Sequence, residues 1–162
     1  RLLMKTYDVL YIGNYTKDTI VSPSGTRYVD GGAVNYAAHA AGRLGAQVAV
    51  ITHLAQEDER VIHKFSAAGI DSFPIYTHAS TLMKLEYPTT DPDIRTLSVT
   101  ATADPIVASE LVSLSARSAV IGSSLRGEVG LDVIQAHQVG QHFAAHARPG
   151  APAAYFAVKQ LQ

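Results

Sequence analysis

Short β-rich apolar runs alternate with amphipathic helical stretches along most of this chain, and that alternation restricts its fold more than any other feature. Residues 7–12 (YDVLYI) have the pattern of a buried strand and end at Gly13-Asn14. Residues 47–52 (QVAVIT) and 71–76 (DSFPIY) are two more such runs, and Pro74 in the last suits a sheet edge or a strand end. After Gly31-Gly32, the residues Val34, Ala37, Ala38, Ala41 and Leu44 recur at helical spacing, with Gly45 at the stop position. Val61, Ile62, Phe65 and Ala68 mark a second helix that ends at Gly69. It is headed by Glu57-Asp58-Glu59, whose charge suits the positive end of a helix. Strand–helix–strand repetition of this kind implies a mostly parallel sheet covered by helices, because parallel neighbours require a crossover.

Two hairpins interrupt the alternation. Residues 18–22 and 26–29 flank Pro23-Ser24-Gly25, and residues 81–87 and 95–99 flank a polar turn at 88–93. They cannot easily join a parallel sheet in sequence order, so a small separate sheet beside the main one is expected. Further on, residues 106–114 read as helix, 118–121 as a strand and 131–147 as helix, while 149–162 carry no strong pattern.

Composition narrows the classes of function. With 162 residues, 47% apolar and 17% charged, the chain can bury a substantial core and is too apolar for disorder. A formal net charge of −1 gives no electrostatic reason to expect nucleic acid or an anionic membrane as partner. The absence of cysteine excludes disulfides and thiolate metal sites, and a cytoplasmic location is the expectation. No stretch approaches the roughly 18 unbroken apolar residues of a membrane span. The opening RLLMK is too short for a secretory signal; Met4 suits a natural start, with residues 1–3 as readthrough or an addition. His142 and His146, with His137 nearby, have metal-ligand spacing, but no carboxylate follows to complete a site and no metal is expected. His39 falls opposite the apolar stripe of its helix and is expected to face water. Tyr7, Tyr11, Tyr15 and Tyr36 are read as core and pocket wall.

Ligands of open α/β sheets bind outside the carboxyl ends of the strands, which is where the first strand delivers residues 13–18. Gly31-Gly32-Ala33-Val34-Asn35 enters a helix that could lie nearby. Paired glycines let a ligand approach the backbone, and free N–H groups at a helix start point toward it. Asp18 can accept hydrogen bonds from two hydroxyls, and the Asn35 amide can both donate and accept. This set suits a polyhydroxylated ligand. Taken alone, Asp18 also suits a turn or cap and Asn35 a helix cap.

These same residues resemble a known family. Gly13 to Asp18, then Gly31-Gly32-Ala33-Val34-Asn35-Tyr36-Ala37 and Arg43-Leu44-Gly45-Ala46, are similar to the opening of the ribokinase-like (PfkB) carbohydrate and nucleoside kinases. Ala68-Gly69-Ile70-Asp71, the hairpin from Thr81 and Arg95-Thr96 fall where that family has a glycine-isoleucine-aspartate strand and its lid. The likeness covers residues 7–135 and implies the N-terminal part of such a kinase domain. Its lid hairpins would be at about 18–30 and 81–99, and residues 136–162 form an atypical tail. The resemblance further implies an ATP-dependent transfer of the γ-phosphate to a hydroxyl of a small-molecule sugar or nucleoside. Asp18, the Gly31-Gly32 backbone and Asn35 would hold substrate hydroxyls, and a homodimer would form through the lid. Thr16 stands where many members carry asparagine; it can still bond a hydroxyl, and the departure leaves the substrate not tied to ribose.

The family's second motif, a glycine-alanine-glycine-aspartate turn supplying the base and an anion hole, has no counterpart here. Asp104, the nearest acidic candidate, lacks the glycines. No catalytic residue is therefore assigned. ATP and Mg2+ are expected for the full-length enzyme and not for this chain alone, which is expected to be inactive and truncated by frameshift, by the end of a gene fragment or deliberately. Two other readings stay open: a non-catalytic α/β module that binds a small polar ligand or dimerises, and, more weakly, a Rossmann-type dinucleotide binder, for which the Gly-x-Gly-x-x-Gly spacing is missing.

Overall fold

The computed structural model describes residues 5–111 and 114–138. Ten strands and three α-helices follow in order: β1 (Thr6–Tyr7), β2 (Val9–Ile12), β3 (Thr16–Ser22), β4 (Gly25–Gly31), α1 (Ala33–Arg43), β5 (Val48–Ala55), α2 (Arg60–Ala67), β6 (Asp71–Thr77), β7 (Thr81–Glu86), β8 (Thr96–Ala101), β9 (Ser115–Ala116), β10 (Ala119–Ile121) and α3 (Leu131–Gln138). The main sheet is parallel throughout, in the order β10-β2-β5-β6. β6, with Pro74, lies at its edge as its sequence implies. Strand order reverses at β2, which has β5 on one side and β10 on the other.

The period-2 alternation of the strands divides the interior into two cores. Leu10, Ile12, Ala49 and Ile51 point to one side and pack with Ile106, Val129 and Val133. Val9, Val48 and Val50 point to the other, where α1 and α2 cover them with Val34, Ala38, Val61 and Phe65. All eight residues of β5 are buried, as a strand covered on both faces must be. α1 stops after Arg43, and Gly45 takes a φ of 86°, a conformation that suits glycine after a helix.

The two hairpins form a second sheet, in the order β4-β3-β7-β8. They are joined by a parallel pairing of β3 with β7, in which Thr16 stands opposite Thr81 and Asp18 opposite Met83. Residues paired across strands share a face, so Thr16, Asp18 and Ile20 lie with Met83, Leu85, Leu97 and Val99. Lys17, Thr19, Lys84 and Ser98 lie on the opposite face. There Lys84 and Glu86 form an ion pair of 2.8 Å on a wet surface.

The structure corrects two expectations. The described part of residues 106–114 does not form a continuous helix. Ile106 bridges to Val129, and a 3₁₀ turn at Ala108–Glu110 follows, because the Glu110 carboxylate accepts from the Val107 N–H and also meets His53. His39 is half-buried rather than solvated. It stacks on Phe65 of α2, with ring centroids 5.3 Å apart, and burial lowers its pKa. The helix expected over 131–147 is seen to Gln138; its remainder, with His142 and His146, lies outside the described residues.

Candidate functional site

β2 and β10 end side by side, and the chain leaves them through Gly13 and Gly122. A side chain at Gly13 would overlap the Gly122 carbonyl oxygen and press on Val34, so only glycine permits this approach. Gly32 takes a φ of 98°, and a Cβ there would lie 2.7 Å from the Asn14 carbonyl oxygen. Both glycines bring the start of α1 against the exit of β2.

Beyond this corner lies a cavity of about 410 Å³. Thr16 and Asp18 of β3 line one wall, and Gly32 to Val34 with Tyr36 supply the start of α1. Tyr11, Val120 and the run Ile121 to Ser124 come from the main sheet. Met83, Leu85, Arg95 and Leu97 close the opposite side from the second hairpin. The Oγ1 of Thr16 and the Oδ1 of Asp18 are buried without a hydrogen-bond partner. A side chain at Gly31 would overlap the Asp18 carboxylate and meet Thr16 Oγ1 at 2.5 Å, so the bare glycine makes room for both groups. Burial pushes the Asp18 carboxyl above its ordinary value; the nearby Thr16 hydroxyl opposes this and the Asp30 charge adds to it.

The residues singled out in the sequence thus converge, with one distinction. Thr16, Asp18 and Gly32 line the cavity, and Gly31 backs the Asp18 carboxylate. Asn35 reaches the same corner, but its Nδ2 donates to the Asp30 carbonyl at 3.0 Å and its side chain does not line the cavity. It does not cap α1 either: Gly32 holds the cap position, with no side-chain cap bond. Tyr7 and Tyr15 are core residues, while Tyr11 and Tyr36 stand in the cavity wall.

Sequence reasoning missed a buried polar network beneath the site. Glu128 accepts the N–H groups of Asn14 at 2.5 Å, Ser124 at 2.7 Å and Leu125 at 3.0 Å, fastening the loop after β10 to the exit of β2. Burial raises its pKa, against the pull of those three bonds and of His53. Fully buried His53 has Nδ1 2.7 Å from the Asp104 carbonyl and Nε2 3.0 Å from Glu110. It also missed Gly122-Ser123-Ser124, although a glycine–serine run directly after a buried strand carries the signal that drew attention to Gly13. Among the described residues, no group of three His, Asp or Glu side chains is placed to hold a metal ion, and no helix is long and apolar enough to cross a membrane.

A parallel sheet bearing a β-hairpin flap over its carboxyl edge places the chain in the ribokinase-like class of α/β folds. Among solved structures, it is similar to a pyrophosphate-dependent kinase of the ribokinase family in complex with sulfate. The TM-score is 0.74 at 25% identity, over 81% of this chain and 46% of that one. A structure of a pyrophosphate-dependent kinase in that family with a pyrophosphate analog and myo-inositol gives a TM-score of 0.72 at 23% identity, over 81% and 45%. In fold alone it is also similar to the adenosine kinase from Sinorhizobium meliloti, with a TM-score of 0.58 at 17% identity, over 71% and 46%. The chain therefore spans under half the length of these enzymes. No family model matches the sequence. No curated protein matches it either.

Proposed function

We propose that this chain is the acceptor-binding portion of a small-molecule kinase, holding a sugar or nucleoside whose hydroxyl receives a phosphoryl group. One observation carries the reading: two polar oxygens, Thr16 Oγ1 and Asp18 Oδ1, are buried without partners in a cavity at the carboxyl edge of the main sheet. Unpaired buried acceptors cost on the order of 1–3 kcal/mol each, and ligand hydroxyls would offset that cost. Asp18 would orient the substrate hydroxyls, Thr16 would exchange a bond with one of them, and the Gly31-Gly32 backbone would allow close approach. Asn35 would support the corner through Asp30.

In this reading the hairpin sheet acts as a lid, and residues 136–162 lie outside the kinase portion. The lid is also where a homodimer would form, since Ile94, Leu97 and Val99 are exposed there. Phosphoryl transfer requires donor and acceptor held in line, charge stabilised on the phosphate, and a base for the nucleophile. The described cavity has a single cationic side chain, Arg95, and no carboxylate other than Asp18, which is occupied with orienting hydroxyls. ATP with Mg2+ would bind the complete enzyme, and this chain alone would transfer no phosphate.

The test is calorimetric titration of the chain with myo-inositol, ribose and adenosine, beside Asp18→Asn. Binding of one of them that falls by about tenfold or more in the variant supports the reading, as expected for a charged acceptor. Equal binding by the two proteins removes Asp18 from the site. Phosphate transfer by the purified chain, followed in a coupled kinase assay, would overturn its assignment as a non-catalytic part.

A further inference from the structure

The cavity carries two formal charges, and they come from different elements. Asp18 stands on β3, while Arg95 precedes β8 by one residue and lines the opposite wall. Arg95 is two residues before Leu97 and so continues the face of the hairpin that meets the cavity. Among the described residues Arg95 makes no ion pair. Glu86, opposite Thr96 on the other face of the hairpin, is engaged by Lys84 at 2.8 Å, and the turn acid Asp91 accepts the Asp93 N–H at 2.9 Å. Among the described residues the one side-chain hydrogen bond of Arg95 is a long one, from Nη1 to the Tyr87 hydroxyl at 3.5 Å. The wall around it is Met83, Leu85 and Leu97, which offer a neutral polyol no hydrogen bond. Across the cavity the first turn of α1 contains no acidic residue, so its positive end is not neutralised from within.

We propose that Arg95 selects substrates bearing an anionic group, a carboxylate or a phosphate, on the polyol held at Asp18. The inference rests on the polyol reading above. A guanidinium presents a rigid fork of donors that matches either anion bidentately, and beside apolar side chains such a pair is stronger than in open water. Asp18 takes the hydroxyl end of the ligand and repels the anion, which fixes its direction in the cavity. Charge would thus decide both orientation and selection.

Matched pairs test this: glucose against glucuronate for the carboxylate, and ribose against ribose 5-phosphate for the phosphate. Each is titrated calorimetrically into the 162-residue chain and its Arg95→Ala and Asp18→Asn variants. At least one anionic member should bind about tenfold tighter than its neutral partner, by an advantage that shrinks with added salt. Arg95→Ala should abolish that advantage and leave neutral affinity within about twofold, a pattern that a general loosening of the hairpin would not produce. Whichever pair shows the advantage distinguishes carboxylate from phosphate. Neutral sugars that bind in an Asp18-dependent way, with no anionic preference or with one that survives Arg95→Ala, overturn this inference and leave the polyol reading intact. Binding of no sugar at all overturns both.

Discussion

The Asp30 carboxylate grips the Arg60 guanidinium with both oxygens, Oδ1 to Nη2 at 2.7 Å and Oδ2 to Nη1 at 2.8 Å. Asp30 lies near the end of β4, and Arg60 opens α2. The pair therefore pins the base of the hairpin sheet to the main body, helped by Lys64 at 2.5 Å and the Tyr15 hydroxyl at 2.8 Å. Lys17 to buried Asp58, at 2.9 Å, is a second such tie from β3.

Asp30→Asn should destabilise the chain by about 1–2 kcal/mol in urea unfolding, the value for charge-assisted bonds reduced because Arg60 and Lys64 are half exposed. The Arg60 and Lys64 cations hold the Asp30 carboxyl well below the usual carboxylate range. A depressed native pKa adds stability above the unfolded value of about 3.9 and loses it as pH falls toward the native one. The gap between wild type and variant should be full at neutral pH and close as pH drops below about 4. A gap independent of pH would show that the ion pair contributes little.

Asp18→Asn should move stability the other way. Burial raises the Asp18 carboxyl, so the charged form opposes folding, and that penalty grows as pH rises from about 3.9 through the higher native pKa. At neutral pH the amide should therefore be more stable by about 1 kcal/mol while binding polyols more weakly. Thermal melts of the two proteins at neutral and acid pH check this, since the difference should vanish in acid.

Gly31→Ala tests the space that the glycine leaves. Its φ is not in the left-handed region, so the added methyl acts by overlap with Asp18 and Thr16 rather than by backbone strain. Loss of about 1–3 kcal/mol is expected, with ligand affinity falling as far as in Asp18→Asn because the carboxylate is pushed aside. Calorimetry and urea melts of the same sample separate the two effects.

Glu128→Ala removes the acceptor of three backbone N–H groups at a buried position, and should lower stability by about 3–5 kcal/mol. Glu128→Gln keeps the shape and one acceptor oxygen, and should recover part of that. Hydrogen exchange at the amides of Asn14, Ser124 and Leu125 is the direct readout, with faster exchange at all three in the alanine variant.

The centre of the main sheet was legible in the chain because β2 and β5 are largely buried on both faces and announce themselves as apolar runs, while Pro74 marked β6 as an edge. The hairpins were legible through their turns, and the Gly31-Gly32 corner through its backbone requirements. Residues 106–114 misled, because apolar spacing looked helical where the partners of Ile106 and Glu110, namely Val129 and His53, come from distant segments. His39 misled for the same reason: the ring that covers it belongs to α2.

Local pattern therefore marked the main strands, the first two helices and the two hairpins in their order, and with the family likeness it singled out Asp18 and Gly31-Gly32. Only the tertiary structure decided that β3 pairs with β7, and with it that Met83, Leu85, Arg95 and Leu97 face Asp18. It also decided that Asn35 is engaged by the Asp30 carbonyl and that Glu128 closes the floor. Strand pairing between segments some sixty residues apart is set by which faces must be buried together, and no window of sequence contains both partners.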